Sequence, residues 1–150
     1  MSEFPTLALS LTQPWAWFML ELPPEHRKDV ENRSWNTNVR GDVWVHASKR
    51  MTADDYAGAL DTAAEILGHI PKAPPFHEVK RGGIVGRFKI IGVERPRVSS
   101  SLGHRHRWHF ADSFGFVVTD ARPVPFVPCS GALGFCRVPP AVLEQLRSQE

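Results

Sequence analysis

The chain has 150 residues, 42% of them hydrophobic and 23% charged, which suits one domain with its own core and excludes a disordered or low-complexity chain. A net charge of +2 and a pI near 8.7 are too mild to demand a nucleic-acid partner, so basic residues matter only where they cluster. No run approaches the roughly 20 apolar residues of a membrane span, and residues 1–20 lack the layout of a signal peptide; a cytoplasmic protein with no membrane partner is expected.

Leu7 to Leu11 alternates as a short strand. Thr12-Gln13-Pro14 then supplies a cap residue and a proline suited to a first helical turn, and the helix that follows, through Trp15, Trp17, Phe18, Met19 and Leu20, is apolar nearly all round and therefore buried. Pro23-Pro24 stops it. Asp29 to Trp35 and Asp42 to Ser48 read as extended segments, and the asparagines and glycine between them predict a hairpin or meander.

At Thr52 the period changes. A T-x-x-D start, a face of Tyr56, Leu60, Ala63 or Ala64 and Leu67, and a closing Gly68 predict an amphipathic helix. Residues 71–75 form a loop. Gly83 to Glu94 is a long strand bent at Gly86 and Gly92, and Phe114 to Thr119, Pro125 to Val127 and Leu133 to Val138 complete the strands. Pro139-Pro140 opens a terminal helix through Val142, Leu143 and Leu146. Five or six strands with so few helices give an α+β fold, a small closed or partly closed barrel with flanking helices in one domain over residues 1–150, in preference to a doubly wound parallel sheet.

The stretch KDVENRSW carries most of the chemistry. In an extended chain Asp29, Glu31, Arg33 and Trp35 share one face, and the plain alternative is a solvated edge strand. Its neighbours argue for a site: Gln13 and Trp15 stand at a helix entrance whose N–H groups suit an anion, and Ser48 and Lys49 stand at the end of VWVHASK. SLTQPWAW, KDVENRSW and VWVHASK, with the closing PVPFVPCSGALGFCRVP, resemble the ASCH domain family over almost the whole chain. That family's G-x-K-x-x-E-x-R pattern is met by Lys28, Glu31 and Arg33, while His26 replaces the glycine.

The resemblance implies a PUA-like barrel with a cleft for RNA or a modified nucleotide. Activities of relatives include amide hydrolysis of N4-acetylcytidine, cleavage of single-stranded RNA and plain binding. A family amidohydrolase resembles Lys28 acting with a threonine nucleophile three residues on; here that position is Glu31, which has no hydroxyl to acylate. Glu94 is a further acidic candidate by the same resemblance. Lys28, Glu31 and Lys49 are the candidate catalytic groups, able with Arg33 to supply base, acid and cation for RNA cleavage without a metal. Equally, Arg33 and the lysines hold phosphate while Trp15, Trp35 or Trp108 stacks a base. Binding asks less of the residues and ranks above a ribonuclease or amidohydrolase.

Ser130 and Gly131 in PCSGALGF are a close-approach position or a tight turn. Cys129 and Cys136 lack metal or disulfide spacing and read as core thiols. In GHRHRWHF, Arg105 and Arg107 oppose a cation among His104, His106 and His109, so the segment reads as a basic, aromatic loop over the cleft with Trp108 as a stacking surface, the plain alternative being an exposed loop with Trp108 tucked into the core. No cofactor is expected. A protein-docking surface of exposed aromatics near Trp15 and Phe18 is a third possibility.

Overall fold

A computed structural model describes residues 4–97 and 106–150. Among these residues six strands form one sheet: β1 (Leu7–Leu11), β2 (Val30–Arg33), β3 (Gly41–Ala47), β4 (Gly83–Glu94), β5 (Phe114–Pro128) and β6 (Phe135–Arg137), in the order β2-β5-β4-β3-β1-β6. Only β1 and β3 run parallel. The sheet curls into a half-barrel, with α1 (Trp15–Leu20) and α3 (Pro140–Ser148) against it and α2 (Ala53–Leu67) packed beside α1 and the start of β2.

Alternation along the strands sorts the core. Leu9, Leu11, Val43, Val45 and Ala47 turn into the barrel beside Phe88, Ile90 and Phe116. Ala8 and Trp44 face outward and are covered by Leu146 of α3. Phe18, Leu22, Val30 and Trp108 meet Ala59 and Ala63 of α2 in a third cluster. The capping box of α2 is complete, with Thr52 Oγ1 accepting from Asp55 N–H and Asp55 Oδ2 accepting from Thr52 N–H, both at 3.0 Å, and Gly68 closes the helix at φ 82°.

The pairing of β4 with β5 shifts register around Gly86 and Gly92, which bends both strands. A Cβ at Gly86 would lie 2.5 Å from Leu20 Cδ1 and 2.6 Å from the Arg122 carbonyl, so the close approach of α1 to the bend requires glycine there.

Three expectations are corrected. The segments around KDVENRSW and VWVHAS do not form a hairpin: β2 pairs with β5, β3 pairs with β1 and β4, and β5 and β4 stand between the two in the sheet. Phe114 to Thr119 and Pro125 to Val127 are not separate strands either: both belong to β5, whose Pro123 and Pro125 lie beyond the stretch that β2 pairs and need no N–H on that side. The aromatic docking surface also fails at Phe18, which is fully buried.

Candidate functional site

β2 is a sheet edge, and the residues that precede and form it carry a row of charge into the barrel mouth. Lys28 is 2% exposed, with its backbone N–H donating to Phe18 O. Its Nζ donates to the Val30 carbonyl and, at 3.1 Å, to Glu31 Oε1. The other carboxylate oxygen, Glu31 Oε2, accepts from Arg33 Nε at 3.0 Å, and Arg33 Nη2 donates to the Ser10 carbonyl at 2.6 Å. Alternation puts Glu31 and Arg33 on one face, and the proximity of the strand start to α1 brings Lys28 round to join them. Burial disfavours the charged amine and pushes the Lys28 pKa below its ordinary 10.5, against the opposing pull of Glu31.

Lys28 and Glu31 of this row form one wall of a cavity of about 330 Å³, with Thr12, Trp15, Asn32, Phe110 and Ser113 completing it. Lys28 Nζ sits 5.7 Å from the Trp15 ring centre. Trp15 and Phe110 meet edge to face at 6.0 Å. Asn32, which sequence reasoning passed over, fixes the far wall: its Nδ2 donates to Trp108 O and its Oδ1 accepts from Phe110 N–H, both at 2.9 Å. The signal was its place on the opposite face of the strand from Glu31.

The remaining candidates lie elsewhere. Ser48, Lys49, Ser130 and Gly131 line a second, larger cavity of about 640 Å³ together with Ser10 and His46, so Lys49 does not share a pocket with Lys28 and Glu31. Gln13 is 3% exposed and spent on structure: Oε1 accepts from Trp17 N–H and Nε2 donates to Lys80 O. The helix entrance is therefore closed to an anion, since Ala16, Trp17 and Phe18 already have acceptors for their N–H groups. Trp108 is 1% exposed and packs on Phe18, so it is core and not a stacking surface. Trp35 is half-exposed beyond Arg33, against Phe116 and Phe135.

Of the histidine-rich stretch, His104 and Arg105 lie outside the described residues. His106 Nδ1 stands 3.3 Å from Asp29 Oδ2 and its Nε2 stands 3.8 Å from Glu94 Oε1. His109 is buried, with Nε2 donating to Ser113 O at 2.7 Å. The two rings thus serve different partners. Among the described residues no group of three histidine, cysteine or acidic side chains is placed to hold a metal ion. Both cysteines are free thiols, and burial raises the pKa of Cys129, which makes it a poor nucleophile.

A curled six-stranded α+β half-barrel, with a buried cation–carboxylate row at its mouth, defines a domain of the PUA-like class. The ASCH domain family model matches residues 9–124, most of the chain, and the chain belongs to that family. Among curated proteins nothing matches it. Among the described residues no helix is long and apolar enough to cross a membrane.

Proposed function

We propose that this ASCH domain binds RNA or a free nucleotide by taking one base into the cavity between Trp15, Phe110 and the Lys28–Glu31 pair. The carrying observation is Lys28: an amine buried this fully, beside an aromatic ring and opening onto a cavity, costs the fold desolvation energy that a packed apolar residue would not. A volume of about 330 Å³ is at the lower end of ligand sites, fitting a base and not a strand, which leaves the rest of an RNA outside. Trp15 and Phe110 supply aromatic contact, and the Glu31 carboxylate, whose oxygens have acceptor capacity left beyond Lys28 and Arg33, suits an exocyclic amino group.

Tryptophan fluorescence titrated at low salt with short single-stranded RNAs and a panel of natural and modified nucleosides tests this reading. Saturable quenching that Phe110→Ala weakens supports it; no saturable change with any member of the panel ends it.

Catalysis in the same cavity is the second reading, favoured by the lowered Lys28 pKa, because burial leaves more of the amine as the free base that can take a proton. With Lys49 in the other cavity, Lys28 and Glu31 are the charged groups that line this one for ribonuclease or amidohydrolase chemistry, and Arg33 acts through its bond to Glu31. Incubation with single-stranded RNA and with an acylated cytidine, comparing the parent with Lys28→Met, decides it: turnover lost in the variant assigns a hydrolase, and no turnover leaves a binder.

A further inference from the structure

The larger cavity holds a pairing that the nucleotide site does not use. β1 and β3 run parallel with Ser10 opposite His46, and both side chains turn to the face of Ala8 and Trp44, away from the barrel interior. Ser10 Oγ lies 3.2 Å from His46 Nδ1, and His46 Nε2 lies 2.7 Å from the Cys129 carbonyl oxygen. A carbonyl only accepts, so Nε2 carries the hydrogen; in the neutral ring Nδ1 then keeps its lone pair and accepts from the Ser10 hydroxyl. The arrangement is a hydroxyl, a base, and a third group that sets the base's tautomer and orientation.

Packing holds this geometry in place. His46 is 4% exposed and Ser10 8%, yet both reach the surface of the 640 Å³ cavity. A Cβ at Gly131 would lie 2.3 Å from His46 Cε1, so the SGAL turn closes on the imidazole only because it has no side chain there. Lys49 lies along the same wall with its stem against Gly82, where a Cβ would come within 3.0 Å of Lys49 Cγ. A nucleophile of this kind beside one cation suits a small ester with an anionic group.

We infer that Ser10 and His46 form a nucleophile–base pair that hydrolyses small carboxylic esters bearing a negative charge, at a site separate from the nucleotide cavity. Ser10 Oγ bonds to the ester carbonyl carbon as its proton passes to His46 Nδ1. The carbon–oxygen bond to the leaving alcohol breaks, His46 returns the proton to that alcohol, and an acyl-serine remains. Water then adds to the acyl carbon, giving a proton to His46. The bond to Ser10 Oγ breaks, the proton returns to that oxygen, and the free acid leaves. One ester and one water yield one acid and one alcohol.

Diisopropyl fluorophosphate, which modifies activated serines, is the probe. Treated as the folded full chain, the protein is expected to gain one adduct by intact mass, mapped to Ser10 and not to the exposed Ser130 or the half-buried Ser48. His46→Gln should slow that labelling at least roughly 100-fold, the usual scale of a general base, and p-nitrophenyl succinate should be hydrolysed by the parent and not by Ser10→Ala. Absence of an adduct on Ser10 in the parent overturns the inference, and so does labelling of Ser10 at the parental rate in a folded His46→Gln protein. If either variant fails to fold, the mapped adduct on the parent still decides between the two outcomes.

Discussion

Arg33 donates to the backbone carbonyl of Ser10 at 2.6 Å, tying the edge strand β2 to β1 across the open side of the half-barrel. The same guanidinium holds Glu31, and the Ser10 hydroxyl on the other side meets His46. One planar cation therefore fixes the carboxylate of the first cavity and the backbone of a residue that lines the second.

Arg33→Lys tests that tie. An ammonium cannot reproduce a fork that donates in two directions, so the Glu31 and Ser10 bonds cannot both survive. A loss of about 1.5–3 kcal/mol is expected, the scale of a hydrogen bond to a charged group, measured by urea unfolding. A variant as stable as the parent would mean the bridge contributes nothing.

Glu31→Gln and Lys28→Met should differ sharply. The first leaves two cations without their shared carboxylate in a nearly closed site, and a cost of about 3 kcal/mol is expected. The second removes the amine that burial penalises and leaves Glu31 paired with Arg33; a change within about 1 kcal/mol is expected, with stabilisation the natural sign. Equal losses in chemical denaturation would contradict this division.

Stability should also carry a signature of Lys28 against pH. The unfolded chain binds this proton up to the ordinary value of 10.5, whereas the folded pKa lies lower because of desolvation, with Glu31 opposing. Between the two values the unfolded state holds more protons, so stability rises with pH across that window, and the amine's contribution is lost as pH falls through the folded pKa. The difference in unfolding free energy between the parent and Lys28→Met, followed upward from about pH 7 towards 10.5, should move in the parent's favour. A difference independent of pH would remove the desolvated amine from the account.

Base binding should separate the two cavities. Phe110→Ala deletes an aromatic wall and should weaken nucleoside affinity by about 1–3 kcal/mol, the usual worth of a base–aromatic contact. Lys49→Ala, in the other cavity, should leave the affinity for a nucleoside without phosphate within about 2-fold, well under the 1.4 kcal/mol of a tenfold change. Isothermal titration with both variants checks this; equal weakening would place the base elsewhere.

Gly86→Ala probes the bend of β4. The added methyl meets Leu20 and the Arg122 carbonyl at distances that force movement, so about 1–3 kcal/mol of overpacking is expected in thermal or urea unfolding. A neutral result would show that α1 yields easily.

Much of the fold was legible because local signals agreed with it. The T-x-x-D start and Gly68 bound α2, the glycines of Gly83–Glu94 mark the bends, and Pro140 opens α3. That Phe114 to Thr119 and Pro125 to Val127 join into one strand was not legible, because tolerance of the prolines between and within them depends on which side of the strand has a neighbour, and pairing is a property of the whole sheet. The hairpin expected from the turn residues between β2 and β3 failed for the same reason.

Of the candidate site, alternation by itself determined that Glu31 and Arg33 share a face, while the charges of KDVENR alone suited a solvated edge and only the neighbouring TQPW and HASK segments argued for a site. Whether a given tryptophan stacks or packs depends on what lies over it: Trp15 opens onto the cavity while Trp108 is enclosed by Phe18 and α2. Only the tertiary structure decided that Lys28 is buried, that Lys49 belongs to a different cavity, and that Ser10 meets His46. Periodicity reports the face a side chain takes on its own strand; the partner across that face comes from strand order and curl, which join residues far apart in the chain.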